Sequence, residues 1–197
     1  VTIAPEIPGA LSVISYLAEK GVTVAAGHTD ATYDEMLRGV AAGIRVATHT
    51  YNAMRELHHR EPGAVGAVLT QKGVYCELIG DTIHVHPGAM SLLMAAKGVD
   101  RVTLITDAVE AAGLPPGTYR FEGREVTVDE SGKTVLPDGT IAGSTTILRK
   151  CLKNVVQECG IPFHAALTMA TVNPAIVSRV FDRKGSLHPG KDADVVV

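Results

Sequence analysis

The chain has 197 residues, 46% of them apolar and 20% charged, with a mean hydropathy of +0.17. That balance supports a buried core and excludes global disorder. A formal net charge of -3 and a pI near 6.2 argue against a nucleic-acid or membrane-surface partner, either of which would want a basic face.

No apolar run approaches the ~20 residues of a membrane span. The opening Val1-Thr2-Ile3-Ala4-Pro5 lacks the basic and apolar regions of a signal peptide and begins inside what reads as a strand. Ala193-Asp194-Val195-Val196-Val197 stops inside another, so both ends are expected to be cut. Short apolar runs alternate with helical patterns, the rhythm of parallel βαβ units. Val1–Ala4 ends at Pro5-Glu6, and Ala10–Lys20 follows as a helix with Gly21 just past its end. Val22–Ala26 is a strand ending at Gly27-His28-Thr29-Asp30. Thr32 and Glu35 have capping-box spacing ahead of a helix that stops at Gly43.

Ile44–Ala47 is the next strand and ends at Thr48-His49-Thr50; Tyr51–Pro62 is a polar, irregular loop of the kind that carries function. Gly73–Ile79 is strand-like ahead of Asp81–His86, and Pro87 opens a helix closing near Lys97-Gly98. Val102–Ile105 ends at Thr106-Asp107-Ala108. From Gly117 to Gly139 the pattern changes to hairpins. Ser144 is expected to cap an amphipathic helix with Leu148, Cys151, Leu152, Val155, Val156 and Cys159 as its stripe. A second short helix starts at Pro162, and Gly185–Val197 reads as a turn followed by a strand.

Cys151 and Cys159 lie eight residues apart on one helical pattern, a rise of ~12 Å. A disulfide needs Cα atoms within roughly 7 Å. Cys76 reads as a small core residue. Three unpaired thiols suit a reducing compartment, taken as the cytoplasm.

Five βα strands suit either an open doubly wound sheet or the later part of an eight-stranded barrel. Glu6, His28, His49, His84 and Asp107 all fall at or just after strand C-terminal ends, which converge on one mouth in a barrel and spread along an edge in an open sheet. The expectation is an α/β fold: a (β/α)8 TIM barrel, present here as about five βα units plus a hairpin insertion.

His28 and His49 end successive strands in similar settings, Ala-Gly-His-Thr and Ala-Thr-His-Thr. Neighbouring strands lie ~4.8 Å apart, so the two imidazoles can meet one cation. A lone histidine there would be read as a hydrogen-bonded loop residue; the pair, with a later strand-end Asp, points to metal ligation. Asp107 is either a turn cap or the carboxylate that takes a proton from metal-activated water and returns it to a leaving group. The loop from Tyr51 to Gly63 groups Asn52, Ala53, Arg55, His58, His59 and Arg60, a cluster suited to capturing an anion such as phosphate or, more blandly, a solvated charged loop. His84 is read as a substrate contact and His86 as incidental. Glu6 reads as structural, with room for support of the site. Ile141-Ala142-Gly143-Ser144 leads to a helix N-terminus whose amides could contact a ligand.

These segments, taken in order with Arg60-Glu61-Pro62-Gly63 and Asn173-Pro174-Ala175, resemble the N-acetylglucosamine-6-phosphate deacetylases of the metal-dependent amidohydrolase superfamily. The resemblance covers essentially the whole chain, and the His-x-Tyr-Asn-Ala-Met loop combined with Arg-Glu-Pro-Gly is its specific part. It implies His28 and His49 as metal ligands, Asp107 as catalytic acid/base, and Asn52, Ala53, Arg60 and His84 as contacts to a phosphorylated amino sugar. It also implies a substrate-lining segment at Ala142, Gly143 and Ser144. The cofactor implied is a divalent metal, zinc first, with iron, manganese or cobalt as alternatives. The counterpart of Arg60 can reach a neighbouring subunit, which implies a homodimer. Residues 1–184 would belong to the barrel and 185–197 to the start of a small β-sandwich.

The family's third ligand, a Glu in His-Leu-Glu-Gly-Pro, is absent, as is the His-x-His pair of two-metal members; the chain resembles the later half of an enzyme. The reaction expected is hydrolysis of the N-acetyl group of N-acetylglucosamine 6-phosphate. The rivals are an amidohydrolase acting on a cyclic amide or another N-acyl sugar, and an inactive fragment. A metal-free barrel aldolase or isomerase would want a Schiff-base Lys or paired acid/base groups at a strand end, and no strand end offers a Lys.

Overall fold

The computed structural model describes residues 1–121 and 123–196; Glu122, inside the expected hairpins, and Val197, at the end of the expected last strand, lie outside the described residues. The fold is α/β. Its first sheet has four parallel strands in chain order: β1 (Val24–Ala26), β2 (Ile44–Ala47), β3 (Tyr75–Ile79) and β4 (Val102–Ile105). Such runs of buried β-branched and small residues suit a sheet covered by helices.

The helices are α1 (Ala10–Glu19), α2 (Tyr33–Ala42), α3 (Gly63–Thr70), α4 (Pro87–Lys97), α5 (Leu148–Cys159), α6 (Phe163–Ala170) and α7 (Val172–Val177). Each of α1 to α6 touches the next, and sequential right-handed crossovers put such a series in one layer on one face of the sheet. The core lies between: Ile14, Met36, Ile44, Leu78, Met90, Leu93 and Met169 are fully buried there.

Local chemistry sets the boundaries. The Thr32 hydroxyl accepts the Glu35 amide while the Glu35 carboxylate accepts the Thr32 amide, the reciprocal capping box that the spacing predicts. The α3 helix has no counterpart in the sequence reading: Gly63 to Leu69 are all buried, so no polar face gives it a helical period. The Lys97 ammonium at the end of α4 donates to Val68 O (2.9 Å) and Gln71 O (2.6 Å), satisfying the carbonyl end of α3. Lys97→Met keeps the apolar stem and removes both donors; a loss of about 2 kcal/mol in urea denaturation is expected, and an unchanged midpoint would refute the cap.

Three expectations are corrected. Val1–Ala4 is not a full strand: Ala25 N–H donates to Val1 O, Ile3 N–H to Ala25 O, and a turn starts at Pro5, which has no amide to continue the ladder. Ser144 does not cap α5. It ends β8 (Ile141–Ser144), which follows β5 (Gly117–Phe121), β6 (Arg124–Val128) and β7 (Lys133–Val135) in an antiparallel meander, and Ile147 takes the cap position without a side-chain bond. Residues 185–196 form bends, one turn and irregular backbone and no strand; Lys184 meets Asp192 (3.0 Å) and Asp194 (2.5 Å) across this segment. Cys76, Cys151 and Cys159 are free thiols.

Candidate active site at the strand ends

His28, His49, Asp81 and Asp107 each stand two residues beyond the last residue of β1, β2, β3 and β4. His28, His49 and Asp107 have φ of 50, 31 and 51°, left-handed values that non-glycine residues adopt rarely and at a cost of order 1–3 kcal/mol. The bend ends each strand and turns its side chain toward the same rim. Gly27 makes the turn possible, since a Cβ there would lie 2.8 Å from the Thr48 Cβ.

The two imidazoles meet. His28 Nε2 and His49 Nε2 are 2.9 Å apart, with ring centroids at 4.7 Å and planes at 80°. His49 Nδ1 lies 3.1 Å from Asn52 O, a carbonyl that can only accept, so the Nδ1 proton belongs to that bond and the Nε2 lone pair faces His28. Asn52 in turn donates its side-chain amide to His49 O at 3.1 Å. His49 is buried and His28 exposed. Burial holds the His49 pKa below its ordinary 6.5; the nearby Asp107 opposes this and His28 adds to it. The neutral ring is the form a cation binds. Two nitrogens bound to one zinc at ~2.0–2.1 Å stand about 3 Å apart, so the pair fits two positions of a metal shell. Among the described residues no third His, Cys, Asp or Glu completes a group able to hold a metal.

Asp107 is exposed and close enough to His49 to act on its charge. Ser144 N–H donates to Asp107 O at 2.8 Å, Val109 N–H donates to Ser144 O at 2.9 Å, and the Ser144 hydroxyl donates to Thr106 O. The meander thus ends directly on the aspartate, and Ala142 and Gly143 lie half-buried beside it; a Cβ on Gly143, at φ 64°, would fall 2.4 Å from Val109. His84 sits at the same rim with its ring almost fully enclosed, its Nδ1 2.6 Å from Asp81 Oδ2. Asp81 Oδ1 accepts the Ile83 and His84 amides at 2.8 and 2.9 Å. Burial raises the Asp81 pKa, but the His84 ring and those two amides outweigh it and hold the carboxyl below its ordinary value.

The amidohydrolase family profile matches residues 6–197. The chain belongs to the amidohydrolase family. It is 40% identical over its full length to the N-acetylglucosamine-6-phosphate deacetylase of Lysinibacillus sphaericus, covering 50% of that protein. It is 43% identical, again over its full length, to the N-acetylgalactosamine-6-phosphate deacetylase of Escherichia coli O157:H7, covering 52%. An aspartate-to-alanine variant of the Mycobacterium smegmatis N-acetyl-D-glucosamine-6-phosphate deacetylase, solved with N-acetyl-D-glucosamine-6-phosphate, superposes with a TM-score of 0.92 at 39% identity. That match covers 98% of this chain and 51% of the other. The chain therefore spans about half the length of the relatives it matches.

In this amidohydrolase a cavity of 840 Å³ opens beside His28 and is lined by Asp30, Ala53, Arg55, His58 and Glu61 among others. Ala53, at φ 49°, accepts the Thr29 amide and so fixes the loop to the end of β1. Arg60 is exposed, with the Nε2 of its neighbour His59 2.9 Å from its guanidinium; among the described residues it forms no hydrogen bond with His28 or His49. Glu6 accepts the Thr29 hydroxyl (2.6 Å) and the Asp30 amide (2.8 Å), contacts within the fold just after β1, and His86 is the N-cap of α4.

Asp30 and Glu77 were not foreseen, and Arg55 and Glu61 were read only as parts of the charged loop. Asp30 and Arg55 form a bidentate pair at 2.7 and 2.9 Å. Glu61 accepts the first amides of both α2 and α3, which holds its carboxyl below the ordinary value. Glu77 accepts the His49 amide from within β3, and burial pushes its carboxyl above the ordinary value, with Asp107 adding to the rise and the amide opposing it. The available signal was a single carboxylate inside an apolar strand. No helix of the described residues is long and apolar enough to cross a membrane.

Proposed function

We propose that the whole protein carrying this chain hydrolyses the N-acetyl group of N-acetylglucosamine 6-phosphate, giving glucosamine 6-phosphate and acetate. The observation that carries this reading is the approach of His28 Nε2 to His49 Nε2 at 2.9 Å beside Asp107. His28 and His49 would hold a divalent metal, zinc foremost, which when bound supplies Lewis-acid polarisation of the amide carbonyl and activation of water. An Asp107 carboxylate oxygen accepts the proton of the attacking water and delivers it to the departing amine. His84, held by Asp81, orients the acyl sugar. Asn52, Ala53 and the Ala142-Gly143-Ser144 segment line its binding site, and Arg60 engages the phosphate, in the homodimer from a neighbouring subunit.

The four parallel strands, single helix layer and shared rim support a (β/α)8 barrel over residues 1–184, with 185–197 leading into a small β-sandwich. Free thiols suit the cytoplasm.

Acetate release by the whole protein tests the reading. N-acetylglucosamine 6-phosphate is expected to outrun its galacto epimer, unphosphorylated N-acetylglucosamine and cyclic amides, with activity lost on chelation and restored by zinc. Preference for any other substrate in that panel would overturn the assignment. In the same assay Arg60→Ala is expected to raise KM for the phosphorylated sugar about tenfold or more, the worth of one charge-assisted hydrogen bond. An equal rise with the unphosphorylated sugar would mean that Arg60 does not read phosphate.

A further inference from the structure

His49 leaves the ladder of the sheet. Thr48 N–H donates to Ala26 O and Thr50 N–H to Glu77 O, each at 2.8 Å. Amides of a regular parallel strand alternate sides, so the left-handed turn at His49 that lets Thr50 take the β3 side leaves the His49 amide without a backbone acceptor. A buried amide needs one. The acceptor is a side chain, Glu77 Oε2, at 3.4 Å.

Glu77 pairs in register with Thr103 on β4 and shares a cavity with Thr2 and Thr48, whose hydroxyls are 3.1 Å apart, so it lies on the hydroxyl-lined side of the sheet. Among the described residues no Lys, Arg or His side chain forms an ion pair with it. A half-buried carboxylate without an ion-pair partner is costly; the Val1 ammonium acts on its charge without pairing with it, and the main-chain donor it meets is the His49 amide that the sheet leaves without a backbone acceptor.

We propose that Glu77 is a positioning residue. It grips the end of β2 twice, through its own carbonyl to Thr50 and its carboxylate to His49, and so keeps the His49 Nε2 aimed at His28. The consequence for metal binding rests on the deacetylase reading above; the grip itself does not.

The test uses the whole protein with Glu77→Gln, whose amide oxygen can still accept, and Glu77→Ser, which suits the hydroxyl-lined face but falls short of the His49 amide. In the metal-free protein, hydrogen exchange of the His49 amide is expected to lose about tenfold of its protection in the serine variant and little in the glutamine variant. Zinc affinity, read by chelator competition, is expected to fall about 10- to 100-fold with serine and to be rescued by glutamine, while kcat falls more than KM changes. Wild-type protection in Glu77→Ser overturns the proposal, as does a Glu77→Gln variant that falls as far as serine. Glu77→Ala replaces the serine variant if melting shows it unfolded. A wild-type protein that releases no acetate, with the exchange pattern as expected, refutes the deacetylase reading and leaves the grip standing.

Discussion

Asp107→Asn is expected to lower kcat by about a hundred- to ten-thousand-fold while the metal content of the whole protein stays at the wild-type level. Asparagine fills the same volume and leaves the backbone contacts of this residue intact: Ser144 N–H still reaches its carbonyl, and the meander still ends at the same place. The His28–His49 approach does not depend on the Asp107 side chain, since Asn52 fixes His49 from the other side. What the amide lacks is the ability to take a proton from water and return it to the amine nitrogen. Steady-state kinetics with metal analysis on the same sample checks this. Turnover within tenfold of wild type removes Asp107 from the proton path, and loss of metal alongside activity would instead make it a ligand.

The strand ends and the polar residues placed there were legible in the sequence because both are written locally. An apolar run that breaks into Gly-His-Thr, Thr-His-Thr or Thr-Asp-Ala announces both the end of a strand and a polar group placed there, and His28, His49 and Asp107 are found at one rim. The capping box at Thr32 and Glu35 was legible for the same reason, since both partners lie within four residues.

What was not legible depends on contacts between distant segments. Glu77 looks like an interruption of a strand until the turn at His49 exposes an amide in need of an acceptor. Ser144 looks like a cap until β8 is laid against the segment after Asp107. The helix α3 carries no polar face, so its period is invisible although its burial is complete. The first strand failed for a converse reason: its residues are good strand formers, but its pairing with β1 stops at Ile3, before Pro5.

The Asp81–His84 pair gives the largest expected stability effect. Both side chains are enclosed, and the Asp81 carboxylate alone accepts the His84 ring and two backbone amides. Asp81→Ala strands all three donors, and breaking a buried pair in this way costs about 3–5 kcal/mol. The pH dependence separates this from a simple packing defect. The Asp81 carboxyl titrates below its ordinary 3.8 in the folded chain, so the unfolded state binds its proton first as the medium is acidified. Its contribution is therefore fully present above the unfolded value and drains away as pH falls through the folded one. Urea denaturation of wild type and Asp81→Ala should show a gap at neutral pH that narrows below about pH 4. A gap that stays flat into acid, or one under about 1 kcal/mol at neutrality, would show that the carboxylate holds neither His84 nor the loop after β3.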